Sequence, residues 1–209
     1  MRNISINKIG LIEHSEADKL MRDLQKKRID NRIEDTLLIC EHPEIVTIGP
    51  RAINDGIKAP LGYDSTPVDR GGGLTWHGPG QLIIYPIIKW DLEGESNVKS
   101  IISLIEQWVI NALEKLGIKG TRNKKMQGVW INQNKICSIG LSFLRWTSRH
   151  GFTINCNTPS GRLEGVSGCG LGAETTTSLS ALGYEIKTEE ICESLISTID
   201  TINRTVKND

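Results

Sequence analysis

A cysteine set among glycines, Ser167-Gly168-Cys169-Gly170-Leu171-Gly172, is the first stretch of this chain whose residue types could carry chemistry. A sulfur nucleophile needs open approach and nearby backbone amides for a developing oxyanion, and flanking glycines permit both. An unassisted thiol, with a pKa near about 8.5, is scarcely ionised at neutral pH, so a cationic neighbour is wanted. Lys135 opens an apolar segment directly after the polar turn Asn132-Gln133-Asn134, where its side chain either reaches the same pocket or stands in solvent. Cys137 is the rival nucleophile; strand alternation puts it on the face of Lys135, but its surroundings read as core, where cysteine behaves as a small hydrophobe. Cys40, Cys156 and Cys192 sit at apolar strand or helix positions and read as packing.

The second stretch is Asp69-Arg70-Gly71-Gly72-Gly73-Leu74-Thr75-Trp76-His77-Gly78-Pro79-Gly80-Gln81, with five glycines just before an apolar segment. Glycines let a backbone approach a ligand closely and leave amides free to face a carbonyl or a phosphate. A bare turn would not also require Arg, His and Gln, so this reads as a ligand wall. The Gly-Lys-Ser/Thr ending of a nucleotide-binding P-loop is absent, as is the helix that would follow it. His77 and His150 each precede a glycine and could stand at a pocket rim. No histidine or cysteine pair has metal-ligand spacing, so no metal is expected. His14 and His42 read as a helix-start and a strand-end residue.

These residues need elements to position them. Ala17, Leu20, Met21 and Leu24 recur at helical spacing after Ser15, which predicts an amphipathic helix over residues 15–31 with Ser15 as its cap. Residues 36–40 suit a short buried strand, and residues 51–65, rich in Pro, Gly, Asn and Asp, a loop or lid. The run from Gln81 to Ile88 is apolar on both faces and suits a central strand up to Pro86, where a ladder donor is missing. Ile101, Leu104, Ile105, Trp108, Val109, Ala112, Leu113 and Leu116 form a helical stripe that stops at Gly117. Residues 128–131 and 135–141 read as a hairpin, residues 151–156 as a further strand, and Ile191, Leu195, Ile199 and Ile202 as a closing helix. Strands and helices are mixed without strict alternation, so the expectation is an α+β fold: one domain over residues 1–209, a mixed β-sheet with flanking helices.

The 209 residues suffice to bury one sizeable core without disulfides or metals. Lys and Arg total 25 against 25 Asp and Glu, so no whole-molecule field favours nucleic acid or an anionic membrane. Five cysteines without a Cys-x-x-Cys pair argue against a disulfide framework. With no signal-peptide run and no apolar stretch near the roughly 18 residues of a membrane span, a soluble protein of a reducing cytoplasm is expected. Arg122, Lys124 and Lys125, and Arg145 with Arg149, form two local basic clusters that could dock an acidic partner.

Taken together, Arg70 to Gln81, Gly128-Val129-Trp130, Lys135-Ile136-Cys137-Ser138-Ile139-Gly140, His150-Gly151 with Asn155, and Cys169-Gly170 closely resemble the octanoyl-acyl-carrier-protein:protein N-octanoyltransferase family, the lipoate-protein ligase B family. The resemblance runs in consistent order from about His42 to Ser178. It implies a fold similar to the catalytic domain of biotin and lipoate ligases, with Cys169 as acyl-thioester nucleophile and Lys135 as the group that lowers its pKa. It also implies that Arg70, Gly71, Gly72, Gly73, Leu74, Thr75, Trp76 and His77, with Ser138, Ile139 and Gly140 and with Gly151, Phe152 and Thr153, line the acyl and thioester site. By the same resemblance the donor is octanoyl-acyl carrier protein and the acceptors are lipoyl domains of 2-oxoacid dehydrogenases and the glycine cleavage H protein, with no cofactor. Thioester-to-amide transfer is downhill and needs no nucleotide. The chain departs from the family's usual pattern at two places: Gly168 replaces a proline before the nucleophile, and Trp76 a tyrosine before the histidine. Alternative readings are an ATP-dependent ligase that forms an acyl-adenylate, a non-catalytic acyl or lipoyl-domain binding module, and a thioester hydrolase.

Overall fold

The computed structural model describes residues 1–95, 97–124, 126–166 and 175–207. The motif around Cys169, with Gly168, and also Lys125, therefore lie outside the described residues. An eight-stranded sheet dominates: β1 (Arg2–Leu11), β2 (Asp35–Glu41), β6 (Gln81–Ile87), β7 (Thr121–Arg122), β8 (Val129–Ile131), β9 (Asn134–Leu144), β10 (Thr147–Asn155) and β11 (Arg204–Val206). Their spatial order is β11-β1-β2-β6-β10-β9-β8-β7. β11, β1 and β2 run parallel and the remaining neighbours antiparallel, so this is the expected mixed sheet.

Strand alternation sorts the core into two layers. Leu37, Ile39, Leu82 and Ile84 face the helices α3 (Val98–Lys115) and α4 (Thr188–Ser197), where Trp108 meets Phe152 edge-on at 5.4 Å between ring centroids. Leu38, Cys40, Ile83, Tyr85 and Ile87 face the opposite way, onto Ala17 and Met21 of α1 (His14–Ile29). α3 matches its stripe: Asn97 caps it by accepting from the Ser100 amide at 2.9 Å, and Gly117, at φ +74°, stops it. α1 begins one residue before Ser15, and Glu13 at its N-cap makes no side-chain capping bond, so the cap is not the serine.

Pro86 does not end β6, which continues to Ile87. It is tolerated because the ladder with β10 has already stopped at Phe152 opposite Ile84, while the other edge of β6 still pairs Pro86 with Leu37. The closing helix ends at Ser197, and Ile199–Ile202 continue as a 3-10 turn into β11. That strand is tied down by Arg204, fully buried, which donates to Asp35 at 2.7 Å and Glu95 at 2.6 Å, while Arg28 reaches the same Asp35 at 2.6 Å.

A second, three-stranded sheet stands apart: β4 (Ser65–Pro67), β3 (Ile45–Ile48) and β5 (Leu74–His77), in the order β4-β3-β5. Residues 74–77 of the glycine-rich stretch are thus a strand and not a loop, because β3 offers Thr47 opposite Thr75 and Val46 opposite Trp76. The 51–65 loop likewise opens with a short helix, α2 (Pro50–Asn54).

Candidate active site

Arg70 builds the first wall of the site. One guanidinium nitrogen donates to the Gly71 carbonyl at 3.1 Å; the other donates to the Thr47 hydroxyl at 2.7 Å and to the Thr47 and Gly73 carbonyls at 3.2 and 3.1 Å. This fork is itself buried, and it clamps the glycine loop to β3. The loop then rides on β9: the Gly71 amide donates to Leu141 O at 3.0 Å, and a Cβ on Gly140 would stand 2.9 Å from Gly71 O and 3.0 Å from Arg70 Cδ. Gly140 is a glycine because the loop needs that space.

Between the small sheet and the β9/β10 hairpin lies a cavity of about 400 Å³. Each described residue that the resemblance assigns to the site lines it: Arg70, Gly71, Gly72, Gly73, Leu74, Thr75, Trp76 and His77 on one side, Ser138, Ile139, Gly140, Gly151, Phe152 and Thr153 on the other, with Lys135. A Cβ on Gly128, at φ +123°, would sit 2.6 Å from Lys135 Cε, so the lysine stem crosses that glycine. The Thr153 hydroxyl is buried and unpartnered among the described residues, so a ligand there would meet a ready hydrogen-bonding group. Trp76 presents its ring to a small core of Val46, Ala52, Leu74, Leu163 and Val166, and its indole N–H donates to Glu44 at 2.9 Å. The larger ring at this position thus finds its own acceptor, and Glu44 also pairs with Arg162.

Sequence reasoning placed His77 and His150 but missed that all four histidines converge. Ring centroids of His14, His42 and His77 lie 5.3 to 6.2 Å apart, and Tyr85 links His42 to His150 at 5.9 and 6.4 Å. Burial holds His14 and His42 down at about 4 and drives His77 well below the ordinary histidine range, with His42 and Arg70 adding to the effect there. Burial also lowers His150, though its bond to Asp69 at 2.9 Å works the other way. Burial would raise Asp69, but hydrogen bonds from Arg149 and His150 overcome it and hold the carboxyl at about 2. His150 adopts φ +55° as it makes this contact, a left-handed conformation that costs a non-glycine residue roughly 1 kcal/mol or more.

The same geometry ties one member of each basic cluster to partners within the chain. Arg149 is buried and ion-paired with Asp69, so it offers no free charge to a partner. Arg122, which stays exposed, pairs with Glu106 at 3.2 Å and donates to Gln107 at 2.9 Å. Cys137 is fully buried and pushed up to about 12 by burial, which makes it an inert core thiol; Cys40 and Cys156 share that value for the same reason, and burial raises Cys192 as well.

Thr47, Tyr85, His14, Met126 and Gln127 also line the cavity without having been singled out as site residues, and Gln81 of the expected ligand wall lines it too. Thr47 belongs to a β-branched run that signalled only a strand. Val166 and Thr176, which flank the Cys169 segment, line it too, and Thr176 bridges in parallel to Lys135.

The family model for the lipoyl protein ligase A/B catalytic domain matches residues 14–200. A curated octanoyltransferase of Rubrobacter xylanophilus is 37% identical over 198 residues, covering 90% of this chain and 88% of the relative. That of Syntrophobacter fumaroxidans is 34% identical over 202 residues, covering 93% and 88%. In fold, the chain is similar to the bi-partite lipoate protein ligase of Thermoplasma acidophilum, with a TM-score of 0.69 at 16% identity over 100% of this chain and 87% of the other. The biotin protein ligase of Aquifex aeolicus follows at 0.56 and 13% identity, over 97% and 69%.

Proposed function

The chain belongs to the lipoyl protein ligase A/B catalytic-domain family, and from that premise we propose that it is an octanoyltransferase working through an acyl-thioester on Cys169, with residues 1–209 acting as one catalytic domain. The donor is octanoyl-acyl carrier protein. The acceptors are lysines of lipoyl domains in 2-oxoacid dehydrogenases and of the glycine cleavage H protein, met in the cytoplasm. The observation that carries this reading is convergence: Lys135 and both described flanks of the Cys169 segment, Val166 and Thr176, line the cavity that the glycine-rich loop encloses.

Lys135 lowers the thiol pKa and takes its proton. The Cys169 thiolate then attacks the thioester carbonyl, backbone amides stabilise the oxyanion, and the carbon–sulfur bond to the carrier's phosphopantetheine breaks. The carrier thiolate leaves with the proton held by Lys135. In the second half the ε-amine of the acceptor lysine attacks the enzyme thioester and gives its proton to Lys135, and the Cys169 thiolate departs as the amide forms. Arg70 and the loop it clamps shape the wall against which the acyl chain lies, while the neutral histidine cluster keeps charge out of the layer behind it.

A single cysteine visited by donor and acceptor in turn gives ping-pong kinetics. Initial rates measured across both substrates without ATP should yield parallel double-reciprocal lines. Intersecting lines, or a strict need for ATP, would move the chain to the adenylating-ligase reading.

A further inference from the structure

Outside the cavity, the described surface holds a second depression. A groove of about 450 Å³ runs along α3, lined by Lys99, Ser100, Ser103 and Gln107 of that helix and by Arg122 of β7; no described residue lines both it and the cavity. Positions 99, 103 and 107 are one helical turn apart and share a face of α3. Arg122 lies along that face, donating to the Ser103 carbonyl at 3.0 Å and to Gln107 at 2.9 Å. Lys99 and, two residues beyond Arg122, Lys124 are exposed and form no ion pair among the described residues. No carboxylate lines the groove among the described residues, so in a chain of zero net charge this face is locally positive.

The groove stands beside the cavity at a defined remove. Glu106 pairs with Arg122 through one oxygen at 3.2 Å and accepts from the Gly128 amide through the other at 2.9 Å, and Gly128 underlies the Lys135 stem. β8 separates β7 from β9, so two strand spacings, about 10 Å, lie between the strand of Arg122 and that of Lys135. The chain that leaves β7 through Lys124 closes this gap, reaching the cavity at Met126 and Gln127.

We propose that this face of α3 and β7 is where the donor carrier docks, with Lys99, Arg122 and Lys124 meeting the anionic surface around the phosphodiester from which its arm hangs. This rests on the acyl-carrier reading given above. Two features choose the donor over the acceptor. An acceptor lysine has only a four-carbon stem, so its domain must sit on the cavity rim itself, whereas a thioester at the end of a pantetheine arm leaves the carrier body standing off. The acceptor lysine also arrives as a cation, which a positive face repels, while the same face attracts the donor's phosphodiester.

Lys99→Glu combined with Lys124→Glu reverses two exposed charges, and neither residue belongs to the cavity lining or to the Arg122–Glu106 pair. The test measures kcat and KM for wild type and variant with octanoyl carrier protein and with octanoyl-pantetheine, which lacks both carrier and phosphate, against a lipoyl domain at several salt concentrations. The expected result is a KM for the carrier raised about tenfold at low salt with kcat kept, and a weaker salt dependence of kcat/KM than that of wild type. The constants for octanoyl-pantetheine and for the lipoyl domain should not change. An unchanged carrier KM would overturn the proposal, as would an equal rise for both donors, the mark of a damaged cavity. A rise for the lipoyl domain as large as for the carrier would also overturn it, by giving the face to the acceptor. Wild type that transfers octanoyl from neither donor would instead remove the octanoyl-transfer reading on which the docking face stands.

Discussion

Lys135 is where the chemistry is most exposed to test at the scale of one residue. Its stem crosses Gly128, its backbone carries Thr177, and it lines the cavity together with both flanks of the Cys169 segment. In the proposed mechanism the Lys135 cation favours the Cys169 thiolate, so its removal raises the thiol pKa. Lys135→Met is expected to shift the pH profile of Cys169 alkylation upward and to lower kcat on the order of a hundredfold, the scale of a lost general acid–base, with little change in Tm. An unchanged alkylation profile would take Lys135 out of the mechanism. The remaining described cysteines will not confuse that readout, since burial raises the pKa of all four.

The site stands on two elements that had to meet: the loop before β5 and the middle of β9. Gly140 is the point of contact, and Gly140→Ala would force a methyl to within 2.9 Å of a backbone oxygen, a place where only the loop can yield. The expected outcome is a loss of about 1–3 kcal/mol of stability, as for an overpacked site, with a larger fall in octanoyl transfer. Equal transfer rates would show that the loop need not sit on β9. Much of this layer was legible in the sequence, because apolar periodicity carries long elements: α3, β6 and the β8/β9 hairpin lie close to where their patterns put them. β1 and β11 were not: the strand alternation in β1 is confined to Ile4 and Ile6, of which only Ile4 is fully buried, and Arg204 is held by ions instead of apolar packing. Ser15 misled because the helix starts inside the histidine cluster, and a tertiary contact outweighs a local cap. The glycine-rich stretch advertised a loop, but β5 forms because β3, nearly thirty residues away, supplies its partner. Motif resemblance named residues that line the cavity; it did not name the histidine cluster behind them, because its members are far apart in sequence and ordinary in type.

At the scale of the whole molecule, burying four histidines in one cluster couples folding to pH. His14 and His42 lie at about 4 in the folded chain against 6.5 when exposed, so the unfolded chain binds more protons between those values. Stability is full above pH 6.5 and falls as pH drops towards about 4; Asp69, held at about 2, adds a separate loss at still lower pH. The upper bound from linkage is roughly 3 kcal/mol for each of the two histidines, and each kcal/mol moves Tm by about 2–4 °C in a domain of this size. Thermal melts at pH 7 and pH 4.5 should therefore differ by up to about 10–20 °C, and His42→Gln should narrow the difference while lowering Tm at pH 7. A His42→Gln protein with the wild-type pH slope would contradict the assignment of that slope to the cluster.

The account as a whole rests on one covalent bond. Mixing the intact protein with octanoyl carrier protein in the absence of ATP, recording its mass and mapping the peptides tests it most directly. The predicted result is one octanoyl group on Cys169, released by hydroxylamine and consumed on addition of a lipoyl domain. An unmodified protein, or an acyl group on any other cysteine, would contradict it.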